Sequence, residues 1–187
     1  TLTVSASSIA ENAGSSLTLT ATSSIVSSAN ITVSLGTSGT ATEGTDYGSV
    51  SDITISAGAT TGTTTFTPTD DSMYETSTDE TATIAIDSVS GGSAAENGTQ
   101  SVTITITENE SAPTVTLAVS ATSIAENAGS SLTLTATLSG TTSQDVTVSL
   151  SSSSSATEGT DYGTVSDITI TSGSTTGTAS FTPTDDS

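Results

Sequence analysis

The chain has 187 residues, with 20 Asp and Glu and no Lys, Arg, His or Cys, so its formal net charge is −20. Without basic side chains it cannot neutralise phosphates, which excludes nucleic acids and anionic membrane surfaces as partners. The absence of Cys excludes disulfides and thiol chemistry. The sequence contains no run of about 18 apolar residues, so direct insertion into a membrane is not predicted.

Short runs in which Leu, Ile or Val alternate with Thr or Ser recur along the first 110 residues. This period of two is typical of half-buried β-strands, and no stretch shows helical periodicity of useful length. Clusters of Gly, Asn and Ser separate the runs at the spacing of an antiparallel sandwich. The predicted strands A to G are residues 2–4, 17–20, 31–35, 53–55, 64–66, 82–86 and 102–106.

The sequence repeats itself with an offset of 115 residues. Residues 9–14 recur at 124–129, residues 66–72 recur at 181–187, and 53 of the 72 comparable pairs are identical. A repeat of this length is a domain that can close its own core. We therefore predict an all-β fold made of tandem seven-stranded antiparallel Ig-like β-sandwiches, of which the second is incomplete.

The predicted domains are repeat 1 at residues 1–110, a linker at 111–113, and repeat 2 at 114–187, which lacks strands F and G. The linker is short and contains a proline, so neighbouring repeats are expected to lie close together. Two explanations of the absent strands are open. The chain is a slice of a longer polypeptide, which we favour, or another copy supplies the strands by edge pairing.

The acidic residues of repeat 1 are concentrated in particular loops. Because consecutive antiparallel strands reverse direction, the A–B, C–D and E–F loops and the end of strand G share one end of the sandwich. Ten of the 13 acidic residues of repeat 1 fall there: Glu11, Glu43, Asp46, Asp70, Asp71, Glu75, Asp79, Glu80, Glu108 and Glu110.

Such crowding of carboxylates favours a metal site, because like charges a few ångströms apart repel each other by about one to a few kcal/mol per pair. Calcium accepts six to eight oxygen ligands in flexible geometry, whereas magnesium demands stricter octahedra and zinc, copper and iron recruit His or Cys. The sequence thus predicts Ca²⁺ as the cofactor. The competing interpretation is a solvated acidic end that keeps the protein soluble.

Four motifs give the chain a resemblance to a known family, and they lie at residues 8–14, 41–47, 70–75 and 104–110. Together they resemble the Calx-beta domain, a calcium-binding sandwich repeat of sodium/calcium exchangers and large bacterial surface proteins. The resemblance implies the calcium ligands Glu11, Asp46, Asp70, Asp71, Glu75, Glu108 and Glu110, and in repeat 2 Glu126, Asp161, Asp185 and Asp186.

The chain departs from the family pattern after Glu75, where the family has a short Glu-x-x-Glu spacing and this sequence reaches its next Glu only at Glu80. Glu43 lies where the family varies. Both Glu43 and Glu80 are kept in the predicted ligand set because they share the acidic end.

The function predicted from these features is a calcium-binding structural repeat of a secreted, extracellular adhesin or cell-surface filament, in which Ca²⁺ rigidifies the joints between repeats. Its expected partners are neighbouring repeats and other copies in a filament. The alternative is a glycan- or protein-recognition module that uses the opposite loops, or a Thr array that binds ice or sugar. Catalysis is not expected, because a Ser-His-Asp arrangement is impossible without His.

Overall fold

The computed structural model describes residues 1–75 and 79–186, so residues 76–78 of the predicted E–F loop lie outside the described residues. The regular elements within the described part are all β-strands, and no helix there is long and apolar enough to span a membrane. Backbone contacts divide the described residues into two compact units. Unit 1 contains residues 1–71 and 79–109, and unit 2 contains residues 72–75 and 110–186.

Unit 1 is a sandwich of two sheets. A three-stranded sheet has the order β1-β3-β6, and a five-stranded sheet has the order β2-β9-β8-β4-β5. The prediction of an all-β sandwich is therefore confirmed. The strands of unit 1 are β1 Leu2–Val4, β2 Ser8–Ala10, β3 Leu17–Thr22, β4 Ile31–Gly39, β5 Ile53–Ile55, β6 Thr61–Phe66, β8 Glu80–Ser90 and β9 Ser101–Thr107.

The core of unit 1 lies between these two sheets. Alternate residues of β3 and β5 are buried, as the period of two in the sequence predicts, while the intervening Thr side chains are mostly exposed. Tyr47 and Phe66 stack in this core with their ring centroids 4.8 Å apart. The stack attaches the loop after β4 to the end of β6, so the position of that loop is fixed by the core.

Strand A differs from the prediction, because the chain forms two short strands there, β1 and β2. Residues 8–10 were expected in the A–B loop, but β2 pairs with β9 in parallel, with Ala10 opposite Thr107. The described residues of unit 1 thus form eight strands, and their pairing is not antiparallel throughout. The break at Ser5–Ser7 lets the chain pass from the edge of one sheet to the edge of the other, so both edges gain backbone hydrogen bonds.

The ladder between β4 and β8 contains a β-bulge, because Ser34 pairs with Ser88 and Leu35 pairs with Ile86, so Asp87 of β8 is the extra residue. The Asp52 carboxylate accepts hydrogen bonds from the Ser34 hydroxyl at 2.9 Å and the Leu35 amide at 3.0 Å. On the other side of β4 the ladder with β5 ends at the pair Val33 and Ile53, and the Asp52 side chain extends it. Asp167 makes the same two contacts in unit 2, so this acidic residue has a structural role away from the predicted metal site.

Unit 2 is built from the second repeat together with residues 72–75. Its three sheets have the orders β10-β11-β15, β13-β14 and β12-β7. Its described residues include no counterpart of β8 or β9, and the core around Ala136 and Ile170 is correspondingly small. The strands of unit 2 are β7 Met73–Tyr74, β10 Val115–Val119, β11 Leu132–Leu138, β12 Thr141–Thr142, β13 Val146–Val148, β14 Ile168–Ile170 and β15 Thr176–Phe181.

Candidate metal centre

Four separate segments of unit 1 bring carboxylates to one end of the sandwich. Glu11 follows β2, and Glu108 follows β9. Because β2 and β9 run in parallel, both strands end on the same side, and the Glu11 amide donates to the Thr107 carbonyl at 3.1 Å. A carboxylate oxygen of Glu11 lies within 4.8 Å of one of Glu108.

A second pair of carboxylates comes from the loop after β4 and from the start of β8. A carboxylate oxygen of Asp46 lies within 4.8 Å of one of Glu80. The Thr42 amide donates to the Asp46 carboxylate, and the Thr69 amide donates to the Asp46 carbonyl at 2.9 Å. Asp46 also precedes Tyr47, whose ring is buried in the core. The Asp46 side chain is therefore held in one orientation before any ligand arrives.

The backbone of Asp71 contacts the first pair. Its amide donates to the Glu11 carboxylate at 3.3 Å, and Glu11 is only 6% exposed. The residues after β6 are thereby attached to the residues after β2. This contact places the backbone of Asp71 beside Glu11, although the side chains of Asp70 and Asp71 are exposed, and their role as metal ligands stays a prediction.

Glu80 has the most perturbed electrostatics of this group. Burial raises its pKa from 4.5 to about 7, and the neighbouring charge of Asp46, a hydrogen bond with Asp46, and the charges of Glu11 and Glu108 add to the rise. Its Oε2 atom is buried and accepts no hydrogen bond from residues 1–75 or 79–186. A buried oxygen of this kind is costly unless a proton or a cation satisfies it.

This arrangement fits a hard cation. Its donors are two close pairs of carboxylates, Glu11 with Glu108 and Asp46 with Glu80, and the chain has no Lys, Arg or His to balance them. One buried oxygen of Glu80 has no hydrogen-bond partner in the part of the chain that the structure describes. Such donors suit calcium, whereas zinc, copper and iron prefer nitrogen and sulfur ligands. The four carboxylates were all predicted from the sequence. What the sequence did not show is β2, the strand that places Glu11 beside Glu108.

The remaining predicted ligands of repeat 1 lie in different surroundings. Glu43 accepts a hydrogen bond from the Thr37 hydroxyl at 2.9 Å and is exposed. Asp79 is also exposed. Glu75 and Glu110 fall among the residues of unit 2, so their part in the site of unit 1 stays a prediction.

Unit 2 reproduces part of the same framework. The Asp186 amide donates to the Glu126 carboxylate at 3.3 Å, and the Thr157 amide donates to the Asp161 carboxylate at 2.6 Å. A hydrogen bond with the Asp186 side chain raises the pKa of Glu126. Glu126 is exposed, unlike its counterpart in unit 1, because residues 123–125 form no strand beside it. Asp185 is exposed as well.

Comparisons with known proteins identify the family. The chain resembles two solved structures, CBD12 from CALX1.2 (19% identity, TM-score 0.46) and the calcium binding domain CBD12 of CALX1.1 (18% identity, TM-score 0.44). The resemblance covers 96% of this chain in both cases, and 72% and 73% of the two solved chains. Among curated proteins none matches. The family model of the Calx-beta domain matches twice, at residues 2–110 and 108–186, and the chain therefore belongs to the Calx-beta domain family.

Proposed function

We propose that unit 1 binds Ca²⁺ through the carboxylates of Glu11, Asp46, Glu80 and Glu108. The observation that carries this proposal is the Glu80 carboxyl group, which has a pKa raised to about 7 and a buried oxygen without a hydrogen-bond partner among the described residues. Burial disfavours the charged form of this carboxylate, and three neighbouring carboxylates disfavour it further. A divalent cation is the partner that would reverse both effects.

The residues of the chain prepare the site in two ways. The Thr42 amide orients Asp46, and the Asp71 amide orients Glu11, so their carboxylates need little reorganisation on binding. Without a cation, the raised pKa keeps Glu80 partly protonated near neutral pH. Binding of a cation therefore releases this proton. A bound Ca²⁺ supplies the positive charge that this chain lacks. Asp70, Asp71, Glu75 and Glu110 are the further ligands that we propose from the family resemblance.

The biological role that we propose is a repeat of an extracellular adhesin or surface filament, with no catalytic activity. Glu108 follows the last strand of repeat 1 and is separated from the linker at 111–113 by two residues. An ion held at this point would restrain the start of the linker. Calcium would then stiffen the chain of tandem repeats. Millimolar calcium outside cells suits weak sites of this kind, with dissociation constants of about 10⁻⁴–10⁻³ M.

Calcium titration of the 187-residue chain by calorimetry tests the binding site. We expect saturable binding that Glu11→Gln weakens by about tenfold or more, because the amide keeps the hydrogen bond from Asp71 but loses the charge. Asp87→Asn is the matched control, since Asp87 is an exposed acid on β8. Equal affinity of the wild-type protein and both variants would contradict the site. Stiffness is tested separately by X-ray scattering with calcium and with chelator.

A further inference from the structure

A cavity of about 460 Å³ lies in unit 1 at the end of the sandwich opposite the carboxylates. Glu80 starts β8 at the acidic end, while Val89 lines the cavity near the other end of the same strand. Nine residues of extended chain separate them, which is about 30 Å. The cavity is therefore a separate site, and its volume lies in the range of small-molecule pockets.

The walls of the cavity are aliphatic and reach the core between the two sheets. Ile31, Val33 and Ile55 line it and are each less than 5% exposed, so they form its floor. Ala21, Ile86 and Val89 extend this apolar surface along β3 and β8. A molecule that entered would contact hydrocarbon on both sheets.

The rim carries two exposed aliphatic residues. Ile25 is 73% exposed and Val26 is 60% exposed, and both line the cavity. Their counterparts in the second repeat are Gly140 and Thr141, although the flanking strands are nearly identical in the two repeats. The fold of the sheets therefore does not require aliphatic residues at these positions. Adjacent exposed aliphatic side chains beside an apolar cavity are typical of a ligand-binding surface.

The loop on the other side of the cavity has an unusual backbone. Ser93 lines the cavity and has a φ of 53°, which is uncommon for a residue other than glycine. Gly92 lies very close to the loop that carries Ile25 and Val26, because a Cβ atom on Gly92 would lie 2.5 Å from the Ser27 hydroxyl oxygen. The two loops are thus in contact, and strain of this kind clusters at binding sites.

The chemistry of the lining selects the class of ligand. An anionic head group would find no Lys, Arg or His anywhere in the chain, and it would meet the Glu96 carboxylate at the cavity. Thr1 also lines the cavity, but its ammonium group donates a hydrogen bond to the Thr22 carbonyl at 2.8 Å. No aromatic side chain lines the cavity, so a sugar ring or nucleobase would have no stacking surface. Ser24 and Asn97 offer polar groups suited to a hydroxyl or ether head. We propose that this cavity binds the aliphatic chain of an uncharged amphiphile.

The test uses the 187-residue chain with octyl glucoside below its micelle concentration, followed by amide chemical shifts. We expect saturable shifts confined to residues 21–33 and 86–97. The variant I25G/V26T, which carries the sequence of the second repeat, is expected to bind about tenfold more weakly because it loses the aliphatic rim. Ala95→Phe at the cavity should also weaken binding, whereas Ala6→Phe on the exposed chain after β1 should not.

Two further measurements test the charge of the head group, with octanoate, and independence from calcium, with chelator. Octanoate has a similar alkyl chain with an anionic head, and we expect it to bind at least tenfold more weakly than octyl glucoside. Binding of octyl glucoside should be unchanged in chelator, so its outcome is independent of the proposed calcium site. Absence of saturable binding to the folded protein, equal affinity of I25G/V26T, or equal affinity for octanoate would each overturn the proposal.

Discussion

The protonation of Glu80 makes the stability of unit 1 depend on pH in a predictable direction. In the folded chain its pKa is about 7, whereas an unperturbed Glu has a pKa of 4.5. Between these values the folded state holds a proton that the unfolded state has released. The contribution of Glu80 to stability is therefore complete below pH 4.5 and is lost as the pH rises to about 7.

The magnitude follows from the same shift. One pKa unit corresponds to about 1.4 kcal/mol, so a fully shielded group would contribute about 3 kcal/mol. Glu80 is partly exposed, and solvent screening reduces this contribution to about 1–2 kcal/mol. In Glu80→Gln the side chain stays neutral at every pH, so this part of the pH dependence is expected to disappear.

Urea unfolding of the wild-type chain and the variant in chelator, followed by circular dichroism between pH 4.5 and 8, measures the effect. The wild-type protein should lose about 1–2 kcal/mol more than Glu80→Gln over this range. Asp87→Asn should follow the wild-type curve, because Asp87 lies outside the carboxylate cluster on the same strand. Identical pH dependence of the wild-type chain and Glu80→Gln would refute this explanation.

Three further predictions concern other positions of unit 1. Saturating calcium at about 100 times its dissociation constant should stabilise the wild-type chain by about 2.7 kcal/mol, and Glu108→Gln should lose most of that gain in a thermal unfolding experiment with calcium and with chelator. Asp52→Ala should cost about 1–3 kcal/mol in urea unfolding, since it removes the carboxylate that accepts hydrogen bonds from the Ser34 hydroxyl and the Leu35 amide; an unchanged midpoint would contradict its structural role. Gly39→Ala should cost more than about 2 kcal/mol by the same assay, because a Cβ would lie 2.1 Å from the Thr81 carbonyl oxygen at a φ of +132°. Gly14→Ala, at a positive φ in open space, should cost only about 1 kcal/mol, and equal effects of the two would argue against the close contact.

The sequence predicted much of the fold because its signals are local. Alternation of Leu and Thr in residues 17–20 indicates a strand with one buried face, and the structure has β3 there with that pattern. The split of strand A was not predictable in the same way. Ser8–Ala10 is too short to show an alternation of apolar and polar residues. It becomes a strand only because β9 offers an unpaired edge.

The candidate site shows the same division between local and distant information. The order of strands and loops along the chain was enough to predict that Glu11, Asp46, Glu80 and Glu108 share one end of the sandwich. Consecutive antiparallel strands reverse direction, so alternate loops lie at the same end. The distances among them are a different matter. They depend on the parallel pairing of β2 with β9 and on the Tyr47 stack, which join residues that are far apart in the sequence.

The sequence by itself determined that the chain is a duplicated, all-β protein with an excess of carboxylates, because composition and a period of two are properties of neighbouring residues. Only the tertiary structure decided which carboxylates lie close together and that one oxygen of Glu80 is buried without a hydrogen bond from any described residue. Likewise it alone revealed an aliphatic cavity at the opposite end. Burial and electrostatic coupling arise when distant segments pack together, and no local pattern encodes them.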